Sequence, residues 1–211
     1  MVSRTKIAVL VSGGGTNLQA LLDAQAAGRL PDGEIAVVIS SNREAYALER
    51  AKNARIPAAA VPRRECASQR EFEERIEALL RENGAELIIL AGFLSILSAD
   101  FTAKWPRRIL NVHPALIPSF CGKGFYGLRV HEAALEKGVK VTGATVHFVN
   151  EIPDGGEILL QKAVDVLPDD TPETLQRRVM EQAEWTLLPQ AAQLVANKIR
   201  TEKECSANER I

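Results

Sequence analysis

The sequence predicts a single-domain α/β protein in which a mostly parallel, twisted, open sheet carries helices on both faces. Short apolar runs rich in β-branched residues alternate with helical stretches through the first half of the chain, the usual spacing of parallel strands joined by helices. Later, two extended segments joined by a turn-rich connector predict an antiparallel hairpin. A long helical stretch follows the hairpin and closes the domain.

The parallel part of the sheet is predicted from five short runs. The run at 87–90 is entirely apolar, as expected for a strand that is covered on both faces. Glycines and prolines separate these runs from stretches of helical spacing or composition. The predicted strands are 7–11, 35–39, 58–61, 87–90 and 109–112, and the predicted helices are 18–27, 44–54 and 70–81. This order corresponds to a Rossmann-like sheet.

The second half of the chain changes in texture. Residues 119–130 carry three glycines and predict a loop, after which His131 opens a helix as a surface residue. Alternating residues predict a strand over 139–149, and a second strand is predicted over 157–166. Turn-forming residues at 150–156 connect the two strands.

A long helix is predicted over 172–198, with Thr171 as its N-cap. Pro189 is expected to kink or divide this helix, because proline cannot donate a backbone hydrogen bond. We expect the domain to span residues 1–200 and residues 201–211 to form a polar, frayed C-terminal tail.

Composition excludes several classes of protein. The chain has 211 residues and is 46% hydrophobic, which suffices for one well-buried core. A net charge of −1 gives no electrostatic reason to expect a nucleic acid or a membrane as partner. We therefore expect small-molecule substrates and a monomer or homodimer.

Cysteine usage indicates a reducing compartment. The three cysteines, Cys66, Cys121 and Cys205, are odd in number and form no Cys-x-x-Cys pair, which disfavours a disulfide framework or a structural zinc site. The N-terminal apolar run is too short for a signal peptide, and no apolar run is long enough to cross a bilayer. The predicted location is cytoplasmic, with no bound metal.

A glycine loop, 12–17, follows the first strand and precedes the first helix, where open α/β sheets bind ligands. Glycines let backbone amides approach an anion, and the helix dipole adds partial positive charge. A Walker A loop requires Lys where Thr16 stands, and a dinucleotide fingerprint requires a third glycine where Leu18 stands. The loop therefore predicts a monophosphate site, with a tight turn that binds no ligand as the alternative.

The segment 111–114 reads Asn-Val-His-Pro and ends a predicted strand. Side chains at i and i+2 share a face of a strand, so Asn111 and His113 should project together. An amide and an imidazole in this position can stabilise an oxyanion and move a proton. The alternative for His113 is a histidine of the core. Asp154, in the connector 150–156, is alternatively a simple turn residue. His147, in the predicted strand 139–149, has either a supporting role or a packing role.

Together these motifs resemble the phosphoribosylglycinamide formyltransferase family, the folate-dependent transferases of one-carbon metabolism in purine biosynthesis. The resemblance runs from about residue 6 to about residue 196, and its motifs occur in the family's order and spacing. The segments that carry it are 11–20, 90–93, 111–118, 145–149 and 154–156.

The resemblance implies formyl transfer from 10-formyltetrahydrofolate, a co-substrate, to the amine of 5'-phosphoribosylglycinamide, without a metal. It implies Asn111, protonated His113 and Asp154 as the catalytic group, with Asp154 relaying a proton through water and helping to hold His113 charged. The implied substrate-binding residues are Gly14, Gly15, Thr16, Asn17 and Glu184. The implied folate-binding residues are Phe93, Leu94, Ile96, Leu97, Val149 and Asn150.

Several positions are weaker candidates or depart from the family. His147, Arg64 and Arg70 are candidates for supporting contacts. Some members carry Lys where Glu181 stands, which removes one potential phosphate partner from this chain, and some carry Arg where Ser95 stands. The loop after Cys121 is longer than in some members and is a candidate cover for the site.

Three rival functions share parts of this pattern. Formyltetrahydrofolate hydrolases resemble the core but carry an additional N-terminal domain, and methionyl-tRNA formyltransferases carry an additional C-terminal one; the positions of the motifs favour neither. A sensor that merely binds a phosphorylated sugar needs the glycine loop but not Asn111, His113 and Asp154 together.

Overall fold

The structure is a computed structural model that describes residues 3–208. Seven strands form one mixed sheet in the order β3-β2-β1-β4-β5-β6-β7. The strands are β1 (Thr5–Val11), β2 (Gly33–Ser40), β3 (Ala58–Ala60), β4 (Leu87–Leu90), β5 (Ile109–His113), β6 (Val141–Phe148) and β7 (Ile158–Asp165). The first five are parallel, and β6 and β7 are antiparallel to their neighbours, so the predicted fold class is confirmed.

Helices cover both faces of the sheet. They are α1 (Thr16–Ala26), α2 (Tyr46–Asn53), α3 (Gln69–Glu82), α4 (Ala99–Ala103), α5 (Leu128–Lys137), α6 (Pro172–Val179) and α7 (Trp185–Asn208). Alternate residues of β1 bury into two different apolar clusters, one containing Ile7 and Val9 and the other containing Ala8 and Leu10. Because both faces are buried, the strand is apolar from Ile7 to Val11, which explains why the sequence lacks polar alternation there.

The long closing helix differs from its prediction in two ways. A π-helical turn, Met180–Glu184, divides it from α6, whereas α7 continues through Pro189, its fifth residue. The helix continues on both sides of Pro189, so the prediction that this proline divides the helix was wrong.

The C-terminal tail also differs from its prediction. Instead of fraying after residue 200, α7 remains helical to Asn208, the last described residue. Ile199 is buried, and two ion pairs continue the docking: Glu202 with Arg108 at 2.8 Å and Lys203 with Glu86 at 2.6 Å. Each surface pair contributes little alone, but together they extend the contact of α7 with the sheet. The end of the tail, 209–211, lies outside the described residues.

One helix was not anticipated, and another begins earlier than predicted. The short helix α4 follows a cap at Ser98, whose side chain accepts a hydrogen bond from the Phe101 amide. The helix α5 begins at Leu128, inside the predicted loop 119–130, and this earlier start turns His131 toward the core. His131 is completely buried, so its prediction as a surface residue was wrong.

A substitution at Gly143, in the middle of β6, tests how closely β6 and β7 pack in the hairpin that carries part of the site. A Cβ atom at Gly143 would lie 2.0 Å from the backbone carbonyl oxygen of Lys162 on β7. We expect Gly143→Ala to lower the free energy of unfolding by about 2 kcal/mol or more, because the backbone of the partner strand must shift. Urea unfolding measures this. Gly13→Ala, where the added Cβ meets nothing within 4 Å, is the control, and equal stability of the two variants would contradict the prediction.

Candidate active site

The glycine loop lies at the carboxyl end of β1, beside the carboxyl end of β4. The chain order of the strands reverses between these two neighbours, which is where open α/β sheets form a ligand crevice. The Leu94 amide donates to the Ser12 hydroxyl at 2.9 Å, so the segment after β4 is tied directly to the glycine loop. Ser12 also shares a 2.6 Å hydrogen bond with Ser41, after β2.

All three carbonyls of glycines 13–15 are occupied by donors. The carbonyl of Gly13 accepts from the Ala47 amide at 3.1 Å, that of Gly14 from Arg50 Nε at 2.8 Å, and that of Gly15 from the Gln19 amide at 2.9 Å. In a planar trans peptide the following N–H points opposite to the carbonyl. The loop therefore turns the next amides away from its supporting contacts.

The amides turned outward are those of Gly14, Gly15 and Thr16, at the start of α1. A Cβ at Gly14 would meet nothing within 4 Å, so the loop faces open space. Gly15 has a φ of +72°, and a Cβ there would lie 2.7 Å from Ala47 Cβ, which explains why glycine is required. Three convergent amides at a helix N-terminus are suited to an anion.

Asn17 and Glu184 meet beside this loop. Asn17 Nδ2 donates to Glu184 Oε2 at 2.6 Å, and both side chains are buried. The oxygen Oδ1 of Asn17 has no hydrogen-bond partner among the described residues. The π-helical turn ends at Glu184, and the extra residue of such a turn changes which side chains of the helix face inward.

Burial raises the pKa of the Glu184 carboxyl to about 7, and the hydrogen bond from Asn17 only partly offsets this effect. The group therefore takes up or releases a proton near neutral pH. Hydrogen-bond donors placed beside this carboxyl would favour its charged form and lower its pKa.

The centre of the site is the Asp154 carboxylate. Its oxygen Oδ1 lies 3.5 Å from Asn111 Nδ2 and 3.5 Å from His147 Nε2, and its Oδ2 lies 3.5 Å from His113 Nδ1. The Gly122 amide donates to Oδ2 at 2.9 Å. The sequence-predicted trio Asn111, His113 and Asp154 is therefore brought together, with His147 beside it.

The backbone of Asp154 is unusual, with a φ of +56°, a left-handed conformation that is uncommon for a residue with a side chain. Burial raises the pKa of Asp154, but the hydrogen bonds from His147 and the Gly122 amide, with the charge of His113, lower it more, and the net pKa lies below the ordinary value. Asp154 is a carboxylate at neutral pH.

His113 is aimed by two acceptors. Its Nε2 lies 2.8 Å from the Phe120 carbonyl oxygen, which can only accept, so Nε2 carries a hydrogen. Burial lowers the pKa of His113 below its ordinary value and outweighs the opposing effects of Asp154 and the Phe120 carbonyl. This shift favours the neutral ring in the substrate-free protein, which opposes the protonated His113 that the resemblance implies.

His147 and Asn111 are paired across β5 and β6 in the sheet register. His147 Nδ1 lies 2.9 Å from the Phe148 carbonyl, which can only accept, so Nδ1 carries a hydrogen, while Nε2 lies 3.2 Å from Asn111 Nδ2 and 3.5 Å from Asp154 Oδ1. Through this contact His147 orients the Asn111 amide, which favours the supporting role over simple packing.

An apolar cleft adjoins the trio, between the segment after β4 and the connector after β6. Of the predicted folate-binding residues, five line it, whereas Leu94 does not and is instead 67% exposed. Leu90 and Ser95 line the cleft too and were not predicted. The complete lining is Leu90, Phe93, Ser95, Ile96, Leu97, Asn111, His147 and 149–154.

The back of this cleft is fixed by α3. Phe93 stacks on Phe72 with ring centroids 6.3 Å apart. The buried Glu73 accepts from the Ser98 amide and hydroxyl, both at 2.6 Å, and Gln69 donates to the Ile96 carbonyl at 3.0 Å. The segment after β4 is thus held in place by hydrogen bonds to α3, although Ile96 within it is 68% exposed.

The weaker arginine candidates are not drawn into the site by any described contact. Arg70 pairs with Glu74 at 2.8 Å and its side chain is 88% exposed. Arg64 is exposed in the 3₁₀ turn Arg63–Glu65.

His131 is buried, its pKa is lowered to about 4 by burial and by His113, and neither ring nitrogen has a partner among the described residues.

Cys121 lies at the edge of the site, in the loop that also supplies Gly122. Its thiol lies 3.2 Å from the Pro118 carbonyl oxygen, and burial, with the nearby Asp154 charge, raises its pKa. A thiol with a raised pKa is a poor nucleophile, so Cys121 serves the loop rather than the chemistry.

Two features are absent from residues 3–208. No group of three or more His, Cys, Asp or Glu side chains is arranged to hold a metal ion there. No helix in the same range is long and apolar enough to cross a membrane.

Comparison with known proteins agrees with this geometry. A family model described as "Formyl transferase" matches residues 5–192. The chain belongs to the formyl transferase family. Within it, the phosphoribosylglycinamide formyltransferase of Haemophilus influenzae is 43% identical over 87% of this chain and 84% of its own length.

One further relative is a much longer protein, and two others are solved structures. The trifunctional purine biosynthetic protein adenosine-3 of Gallus gallus is 44% identical over 92% of the chain, which spans only 19% of that protein. The crystal structure of glycinamide ribonucleotide transformylase 1 from Symbiobacterium toebii superposes with a TM-score of 0.86 and 42% identity, covering 92% of this chain and 89% of that one. The phosphoribosylglycinamide formyltransferase structure from Brucella melitensis gives 0.83 and 41%, covering 92% and 96%.

Glu184 supplies a test of the site's electrostatics. Because Glu184 holds its proton more tightly in the folded chain, its contribution to stability is complete below about pH 4.5 and is lost as the pH rises through about 7. Glu184→Gln cannot titrate, so its free energy of unfolding relative to wild type should increase from pH 5 to pH 8. Urea unfolding of both proteins at the two pH values measures this, and a difference that does not change with pH would contradict the raised pKa.

Proposed function

We propose that this chain transfers the formyl group of 10-formyltetrahydrofolate to the amine of 5'-phosphoribosylglycinamide, yielding 5'-phosphoribosyl-N-formylglycinamide and tetrahydrofolate in purine biosynthesis. The observation that carries the proposal is that Asn111, His147 and Asp154 line the same cleft as the apolar side chains Phe93 and Ile96. The names of the relatives from Haemophilus influenzae and Brucella melitensis state the same activity.

The glycine loop takes the phosphate end of the amine substrate. The outward amides of Gly14, Gly15 and Thr16 donate to the phosphate oxygens, and the N-terminus of α1 adds its dipole. Glu184 accepts from the ribose hydroxyls, and Asn17 holds Glu184 through the 2.6 Å hydrogen bond. This division places the substrate amine toward the trio at the end of β5.

The folate takes the apolar cleft. Phe93, Ile96, Leu97 and Val149 offer a flat apolar surface for a fused ring, with backbone and side-chain polar groups, including Asn150, at its rim. Leu94 contributes its backbone amide to Ser12 rather than a side chain to the cleft. Binding both substrates in one crevice supplies the orientation that a two-substrate reaction requires.

The chemistry follows from the charges of the trio. Attack of the neutral amine on the formyl carbon places negative charge on the formyl oxygen, where Asn111 Nδ2 and the Nε2–H of His113 donate. The Phe120 carbonyl already aims that Nε2–H, so the developing oxyanion competes with it for the same hydrogen. Neutral His113 acts here as a hydrogen-bond donor rather than as a fixed cation.

Proton movement is the task of the Asp154 carboxylate. The amine becomes an ammonium after attack and must lose a proton, while the departing folate nitrogen must gain one. Asp154 is ionised at neutral pH and lies beside the free lone pair of His113 Nδ1, so it relays this proton, directly or through a water molecule.

The remaining expectations belong to the same proposal. We propose that the substrates are small molecules, and that the reaction proceeds without a metal and without a nucleic-acid or membrane partner. We retain the cytoplasm as the location and a monomer or homodimer as the assembly. One relative, from Arabidopsis thaliana, is named as chloroplastic, so the compartment varies within the family.

The function is tested by following absorbance of the folate with 10-formyltetrahydrofolate or 10-formyl-5,8-dideazafolate, with and without 5'-phosphoribosylglycinamide. Release of deformylated folate only in the presence of the amine would support the transferase. Release without the amine would identify a hydrolase, and binding without release would identify a sugar-phosphate sensor.

Asp154→Asn separates chemistry from binding. The amide keeps the size of the side chain but cannot accept a proton at neutral pH, so we expect kcat to fall by about 10²-fold or more. The dissociation constant of the phosphorylated amine should change little, because the glycine loop is untouched. Steady-state kinetics and calorimetry measure the two quantities, and near-normal turnover would refute the proton-relay role.

A further inference from the structure

Arg50, on α2, stands directly behind the glycine loop. Its Nε donates to the Gly14 carbonyl at 2.8 Å, and its Nη1 donates to Gln19 Oε1 at 2.9 Å. The guanidinium also lies over the Tyr46 ring, 5.0 Å from the centroid. Three contacts of different kinds therefore hold this side chain against the loop.

The charge of Arg50 is not matched by a carboxylate. Among the ion pairs of residues 3–208, none includes Arg50, whereas its helix neighbour Lys52 lies 4.0 Å from Glu49. Arg177, on α6, is paired with Glu181 at 2.8 Å. Glu184, the other ionisable group beside the loop, is an acid. An anion at the loop thus finds Arg50 as the cation that no described carboxylate neutralises.

The geometry also links Arg50 to the direction of an amide. The Gly14 carbonyl accepts from Arg50, so the planar peptide turns the Gly15 N–H to the opposite side, toward the open face of the loop. A charged donor on the carbonyl polarises the peptide, which strengthens the N–H as a donor to an anion. Arg50 therefore sets the orientation of the Gly15 N–H and also makes the electrostatic potential at the loop more positive.

We propose that Arg50 is the residue that makes the glycine loop selective for a phosphate dianion, acting from behind the loop as a positioning residue. It compensates for the acid at Glu181, where some members of the family carry Lys. This inference rests on the proposed function for the identity of the substrate, but it concerns the phosphate subsite alone, which can be measured without turnover.

The test compares Arg50→Ala and Arg50→Lys with wild type. Calorimetry with ribose 5-phosphate reports the subsite directly, with ribose as the uncharged control. We expect Arg50→Ala to weaken ribose 5-phosphate binding by about 10- to 100-fold, as for loss of a charge-assisted hydrogen bond. Arg50→Lys keeps the charge but loses the fork, so it should recover part of that loss.

Kinetics supply the second readout. In Arg50→Ala, the KM for 5'-phosphoribosylglycinamide should rise by a similar factor, while kcat and the affinity for 10-formyl-5,8-dideazafolate stay within about threefold, because the folate cleft is not touched. Lys52→Ala removes a positive charge from the same helix without contacting the loop, and it should change ribose 5-phosphate binding by less than about twofold.

Three results would overturn the role of Arg50. They are a wild-type protein that binds ribose 5-phosphate no better than ribose, unchanged ribose 5-phosphate binding in Arg50→Ala, and a folded Arg50→Lys variant that binds ribose 5-phosphate no better than Arg50→Ala. Absence of amine-dependent formyl transfer would instead contradict the proposed function and leave the calorimetric result standing, so the two failures are distinguishable.

Discussion

The partly buried carboxylate of Asp154 is the constraint on which the rest of the site depends. One group holds an amide from β5, two imidazoles from β5 and β6, and a backbone amide from the loop after Pro118. These segments approach each other only because β6 runs antiparallel beside β5 and places His147 opposite Asn111. The left-handed backbone of Asp154 is the local cost of turning the carboxylate inward, and such strain concentrates at functional sites.

Burial then decides the charge of each partner. The carboxylate stays ionised because hydrogen bonds and neighbouring rings outweigh its desolvation, whereas desolvation lowers the pKa of His113 and outweighs the attraction of Asp154. Burial likewise raises the pKa of Glu184. The site therefore keeps a negative charge at the reacting centre, while the N-terminus of α1 and Arg50 place positive charge at the glycine loop.

The sequence was sufficient for the strands, the glycine loop and the trio, because strand periodicity places Asn111 and His113 on one face and the motifs fix their spacing. It was insufficient where backbone groups or tertiary burial decide. The contacts of Asp154 with the Gly122 amide and of His113 with the Phe120 carbonyl leave no side-chain pattern to read. His131 looked like a surface residue because the earlier start of α5, which turns it inward, depends on packing rather than on local propensity.

The most direct measurement is an NMR titration of the imidazole nitrogens, which is practical because the chain has only three histidines. In wild type, His113 should carry its hydrogen on Nε2 and titrate below the ordinary histidine pKa of about 6.5. In Asp154→Asn its pKa should fall further, since the carboxylate that favours the charged ring is gone. A His113 pKa above 6.5 in wild type, or one that does not respond to Asp154→Asn, would contradict a neutral donor organised by the partly buried carboxylate.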